Sequence, residues 1–182
     1  SFETPLKEYM DKPIKHYEKE LSSIRTGRAS ITLLENIKVD VYGQIMSLKE
    51  LATLGAPDAR LLTIQPWDKS VIPEIEKAVL ASELGASPVN DGILIRIQLP
   101  QMSASRRDEL LKLLSKKTEE CKVAVRNVRK DFHNEVRDAD KKKIISEDFA
   151  KRLMDVLQKV TDQFIAKADQ MNDKKAAEIG HI

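Results

Sequence analysis

"SRRDELLKLLSKKTEECKVAVRNVRKDFHNEVRDADKKK", Ser105 to Lys143, carries two stripes of opposite chemistry at helical spacing. Leu110, Leu114, Thr118, Cys121, Val125, Val128 and Phe132 recur at steps of three and four, the pattern of an amphipathic helix docked on partner helices. With Val125 at zero and about 100° per residue, Lys122, Arg126, Arg129, Lys130, His133 and Arg137 fall between about 40° and about 140°, beside the apolar arc rather than in it. No Gly or Pro interrupts the stretch, so the spacing predicts one rod of roughly 50 to 60 Å at about 1.5 Å per residue. Such a rod demands a core along one side and offers a basic flank next to it.

Two further segments supply that core. Leu6, Met10, Ile14, Tyr17, Leu21 and Ile24 keep the same period, which predicts a first helix with Thr4 as N-cap, Pro5 as first helical residue and Gly27 just past its end. Arg25 and Arg28 then stand where cations complement the C-terminal dipole. Pro13 lies inside this helix and predicts a kink, or a helix that becomes regular only beyond it. After a turn at "KKKIISED", Ser146 is the expected N-cap of a last helix whose seam reads Phe149, Leu153, Val156, Val160, Phe164, Ala168 and Met171. Three helices with one apolar stripe each can hide those stripes only against one another, so residues 1–30 and 105–182 are expected to form an antiparallel three-helix bundle.

Between them the period changes to two. Ile37, Val39 and Val41 alternate with Lys38 and Asp40, and short apolar runs follow at 45–48, 51–54 and 61–64. "DKSVIPEIEKAVLASELG" reads as a short helix with Ser70 as N-cap, Ile72, Ile75 and Val79 facing inward and Gly85 at its end. After the turn signal Asn90–Gly92, Ile93, Ile95, Ile97 and Leu99 alternate strictly. Residues 31–104 are therefore expected to be an inserted β/α/β domain of about five short strands and one helix, giving an α+β fold overall. The chain must cross between the two parts twice, near Gly27, Ala29 and Ser30 and near Pro100, Met102 and Ser103, with Arg106 and Arg107 close by, which predicts a two-stranded hinge.

The chain is nearly neutral, with 31 basic and 29 acidic residues, but the charge is unevenly spread. Ser105–Lys143 holds 13 basic and 8 acidic residues, whereas Ile31–Ala104 holds 6 and 9, so a polyanion would feel the long helix and not the insert. Three of the flank cations are arginines, which match phosphate bidentately. With aromatics at 4% and Tyr9, Tyr17, Phe132, Phe149 and Phe164 on or beside core seams, contact with phosphate backbone is expected rather than stacking on single-stranded bases. Trp67 reads as core or as a contact between the two parts.

Enzyme chemistry finds no foothold in these residues. His16, His133 and His181 have no ligand-spaced partners, so no metal is expected; there is no glycine-rich phosphate loop, and the single cysteine, Cys121, falls on the apolar seam. No cofactor and no small-molecule substrate is expected. With one Cys, no apolar run of eighteen residues and no secretory pattern at "SFETPLKEYM", the reading is a monomer in a reducing, cytoplasmic setting, without membrane association.

Five segments, "SIRTGRAS" (23–30), "VLASELG" (79–85), "RIQLPQMSASRR" (96–107), "VAVRNVRKD" (123–131) and "ISED" (145–148), resemble the ribosome recycling factor family in that order. The resemblance implies an L-shaped two-domain molecule that binds the post-termination ribosome at the subunit interface and, with elongation factor G and GTP, splits it into subunits. It implies that the bundle docks on large-subunit ribosomal RNA, with Arg126 and Arg129 matching the family's RNA-contacting arginines and Arg25, Arg28, Lys122 and Arg137 matching the same face. The residues alone leave two other classes open: a general structured-RNA-binding protein and a helical-bundle adaptor for another protein.

Overall fold

In the computed structural model, which describes residues 2–180, the chain separates into two compact units, one of residues 2–25 with Ser105–Gly180 and one of Thr26–Ala104. The first contains three long helices, α1 (Glu3–Ser23), α4 (Ala104–Lys141) and α5 (Glu147–Gly180). The second contains a one-turn helix α2 (Thr32–Glu35), the helix α3 (Ile72–Ala81) and six strands: β1 (Lys38–Val41), β2 (Gln44–Ser47), β3 (Ala52–Asp58), β4 (Leu61–Pro66), β5 (Pro88–Asn90) and β6 (Ile95–Gln98).

The helices form where the apolar stripes require it. All six stripe residues from Leu6 to Ile24 are buried, as are Leu110, Leu114, Thr118, Cys121 and Val125 on α4, while Val128 and Phe132 pack part-buried on the same core. Each fully buried Leu or Ile contributes on the order of 1.5–3 kcal/mol relative to exposure. The core gathers Leu6 and Met10 with Val125, Leu157 and Val160. Further along, Tyr17 of α1 meets Thr118 of α4, which meets Asn172 of α5. From the first level to the second the residue numbers rise on α1 and α5 and fall on α4, so α4 runs antiparallel to the other two.

The second level is polar. Tyr17, only 1% exposed, places its hydroxyl 2.6 Å from Thr118 Oγ1, and that oxygen lies 2.9 Å from the Leu114 carbonyl and 2.8 Å from Asn172 Oδ1. Both of the latter can only accept, and Thr118 has a single proton for them, so the Tyr17 hydroxyl must donate to Thr118. No buried side-chain nitrogen or oxygen among the described residues is left without a partner.

Several ends differ from expectation. α1 starts at Glu3 with Thr4 inside it and no side-chain cap, because Phe2 is drawn onto Phe132, ring to ring at 5.7 Å, which holds the first turn in place. α1 stops at Ser23, so Gly27 lies beyond the helix with φ +73°, and no basic residue occupies the last turn. Helix continues on both sides of Pro13 without a break. Ser146 caps α5 as its position implies, accepting from the Phe149 amide at 3.1 Å. The α5 seam is rotated from the expected one: Ala150, Leu157, Val160, Thr161, Ala168 and Ile179 are buried, while Phe149 is 41% exposed beneath the Arg152 guanidinium.

In the sheet unit β1 and β2 form a hairpin, and β3, β4, β6 and β5 lie side by side in that order, all antiparallel. α3 buries Ile72, Ile75 and Val79 in the same core as Leu62 and Ile64 of β4 and Ile95 and Ile97 of β6. β3 is an edge strand whose register shifts between Gly55 and Asp58, and Pro57 falls inside that shift, where no ladder donor is required. Ser70 is not the cap of α3. Asp68 takes that place one 3-10 turn earlier and accepts from the Ser70 hydroxyl at 2.7 Å and the Ser70 amide at 2.9 Å, which together hold its carboxyl below the usual range. Trp67 does not enter the core; it is 67% exposed and donates to Thr53 Oγ1. Both chain crossings are fastened to one turn of this unit: the Ala29 amide donates to the Ala59 carbonyl and the Leu99 amide to the Arg60 carbonyl, each at 2.7 Å.

Candidate nucleic-acid interface

Helical phase sets the site. α4 turns Val125 to its partners; about 100–140° away Arg126, Lys130 and Arg137 project exposed, while Lys122 and Arg129, at about 40–60°, lie half-buried nearer the seam. Their environments differ. Arg126 is 52% exposed and pairs at 3.2 Å with Glu119 on its own helix, an exposed partner in a contact of the kind that contributes about 0–1 kcal/mol and yields easily to a better anion. Lys122 is the most enclosed, at 19% exposure, and is tied to Asp169 of α5. Arg129 is half-buried, and its Nε donates at 3.2 Å to the amide oxygen of Gln158 on α5. Lys130 is exposed without an ion pair among the described residues, and Arg137 lies 3.9 Å from Asp138.

The other expected residues lie elsewhere. Tyr17 is level with Thr118 and α1 runs opposite to α4, so Arg25 is level with the first turns of α4, roughly 24 Å along the axis from Arg126 at about 1.5 Å per residue. Arg28 belongs to the sheet unit. Of the expected hinge residues, Gly27, Ala29, Ser30, Pro100, Met102 and Ser103 belong to the sheet unit, and Arg106 and Arg107 to the helical unit. A Cβ on Gly27 would lie 3.3 Å from Met102 Cε, so the outgoing and returning segments touch at a position held at positive φ. Ser30 bonds to Thr32 at 2.9 Å, Arg106 pairs with Glu109 at 3.0 Å, and Arg107 is half-buried. Pro100, Met102 and Ser103 form the irregular segment before α4.

Three α5 residues were not visible in the sequence as parts of this flank: Gln158, Asp162 and Asp169. They face α4 only because the two helices pack side by side, and no spacing within one segment encodes that.

Nothing here is arranged for bond making. Burial and the nearby Glu20 carboxylate push the Cys121 thiol up to about 11, and its proton points to the Pro13 carbonyl at 3.7 Å, so it is a buried thiol and not a nucleophile. Among the described residues no three His, Cys, Asp or Glu side chains converge on a metal position; His181 lies outside them. No helix among them is long and apolar enough to cross a membrane.

A bundle that offers a row of cations along one flank presents a surface suited to an anionic partner. Comparison with known proteins says which kind. Residues 17–179 match the model of the family described as ribosome recycling factor. Ribosome-recycling factors of Syntrophomonas wolfei and Heliobacterium modesticaldum are 48% and 46% identical, covering 96% and 95% of this chain and 95% and 94% of their own length. A solution structure of the ribosome recycling factor covers the whole chain and 96% of its own, at a TM-score of 0.63 and 38% identity. A second similar chain comes from models of the T. thermophilus ribosome recycling factor and the E. coli elongation factor G bound to the E. coli post-termination complex; it covers 98% of this chain and 96% of its own, at 0.58 and 39%. The chain belongs to the ribosome recycling factor family, whose members are translation factors and not enzymes.

Proposed function

We propose that this protein binds the post-termination ribosome and, together with elongation factor G and GTP, promotes its separation into subunits, with the helical unit anchored on large-subunit ribosomal RNA through the α4 flank. The observation that carries the anchoring is the row Arg126, Arg129, Lys130 and Arg137, which α4 holds beside its seam with no carboxylate of another helix paired to any of the four among the described residues. Arginine forks match phosphate oxygens two at a time, and their contacts position a protein on folded RNA without reading sequence. The sheet unit, with its acidic excess, is then free of that anchor and turns about the paired crossings at Gly27 and Met102 when the elongation factor engages. The protein acts as a monomer in the cytoplasm.

Ribosome co-sedimentation with the Arg126→Ala/Arg129→Ala double variant tests this. Each lost charged contact is worth about 1.5–3 kcal/mol, so affinity falls by at least about tenfold while helicity and melting stay put. Wild-type binding weakens as salt rises, and the double variant shows a shallower salt slope by up to about two. Unchanged affinity would reject the anchoring. Equal binding to naked structured RNA would point to a general RNA binder, and binding that survives nuclease treatment of the ribosomes to a protein adaptor.

A further inference from the structure

Arg129 is set apart from its neighbours on the flank by the chemistry of what holds it. Lys122 and Arg126 face carboxylates, Asp169 and Glu119, which cancel much of their charge. Arg129 is held by a neutral amide: its Nε donates to Gln158 Oε1 at 3.2 Å. The amide cannot turn over freely, because Gln158 Nε2 donates in the other direction, to Asp162 Oδ1 at 2.8 Å, one turn further along α5. Oxygen therefore faces the arginine and nitrogen faces the aspartate. Among the described residues Arg129 makes no other side-chain hydrogen bond or ion pair.

We propose that Gln158 is a positioning residue for Arg129: it grips the guanidinium by Nε alone, fixes its plane, and leaves both terminal nitrogens with full charge for two oxygens of one phosphate. The inference rests on reading the α4 flank as the RNA-facing side. An arginine side chain left loose loses rotamer freedom on every binding event, whereas one already held at Nε does not. A carboxylate in place of Gln158 would hold the side chain equally well but would compete with phosphate for the same charge. Asp162, which faces the amide nitrogen, serves to orient the amide and stays out of the arginine's reach.

The experiment is ribosome binding by co-sedimentation across a salt series for four variants, Gln158→Ala, Gln158→Glu, Arg129→Ala and Gln158→Ala/Arg129→Ala, with melting measured on each. Gln158 is exposed, so all four are expected to fold. Gln158→Ala should weaken binding by about three- to tenfold with the salt slope unchanged, because no phosphate contact is removed. Gln158→Glu should weaken it further and flatten the slope by about one, as Arg129→Ala does. In the Arg129→Ala background, Gln158→Ala should cost less than about twofold more, since contacting residues couple and independent ones add. Additive losses, a Gln158→Glu variant no weaker than Gln158→Ala, or Gln158→Ala binding like wild type while Arg129→Ala is impaired would each overturn the positioning role alone. Wild-type affinity for Arg129→Ala would overturn the anchoring at this arginine and the positioning role with it.

Discussion

In the helical unit the relative height of α1, α4 and α5 is held by a polar contact set into an apolar seam, whereas in the sheet unit the strand ladder itself fixes which residue faces which. The contrast follows from how the two kinds of element bury their surface. An apolar stripe repeating every three or four residues packs almost as well after a slide of one turn, so Leu6, Met10 and Val125 cannot by themselves choose a height. Tyr17, Thr118 and Asn172 can, because a slide would leave hydroxyls without partners in a low-dielectric interior. A β-ladder needs no such device, since a one-residue slip turns every side chain to the wrong face. The core of the sheet unit is accordingly apolar apart from Ser47.

The largest expected effect breaks the sheet side of the comparison. Ile64 is fully buried on β4, between β3 and β6, and Ile64→Ala should cost about 2–5 kcal/mol in urea unfolding. Amide exchange should accelerate within Thr26–Ala104 and leave Ser105–Gly180 near wild type. Equal acceleration in the helices would mean the two units unfold as one, and the comparison would fail.

The next sharpens the helical side. Thr118→Val strands the Tyr17 hydroxyl and should cost about 1–3 kcal/mol, whereas Tyr17→Phe, which leaves Thr118 its two acceptors, should cost about 0.5–1.5. Combining the two should cost less than their sum, because the stranded hydroxyl is then gone. Strictly additive losses in denaturant titrations would reduce the contact to ordinary packing.

The smallest effect reads the same seam by pH. The Cys121 thiol titrates near 11 in the folded chain, because burial opposes the thiolate, and at about 8.5 when unfolded. Between those values the unfolded chain has lost a proton that the folded chain keeps, so stability is full below about pH 8.5 and is lost as pH rises toward 11. Tyr17 is shifted in the same direction by its burial and adds to the decline. Melting temperature should therefore fall across this range in wild type and fall less steeply in Cys121→Ala; parallel curves would contradict the burial argument.

How much of this could be read in the sequence depends on whether a feature lives within one segment. The α1 stripe and the three inward residues of α3 were legible because a single helix encodes its own period. The α5 seam was legible only to within a rotation. Phe149, Ala150, Leu153, Met154, Val156 and Leu157 spread apolar surface around most of the helix, and the small residues Ala150 and Ala168 decide which side comes closest to its neighbours. β5 was missed because Pro88–Asn90 has neither alternation nor length, and its strand character comes from pairing with β6. On the flank, the arginines were legible as a stripe, but Gln158 was not: a polar residue on an outer face is silent until a second helix supplies its partner.

The fastening of both crossings to Ala59 and Arg60 bears on how such a protein can be built and rebuilt. A module spliced into a host chain is tolerated when its entry and exit lie together, and here they bond to neighbouring residues, about 3.8 Å apart from Cα to Cα. The sheet unit is thus a cassette with a single seat. A short loop in its place would have little distance to span, and lengthening the β3–β4 turn would spread the seat while leaving either fold intact.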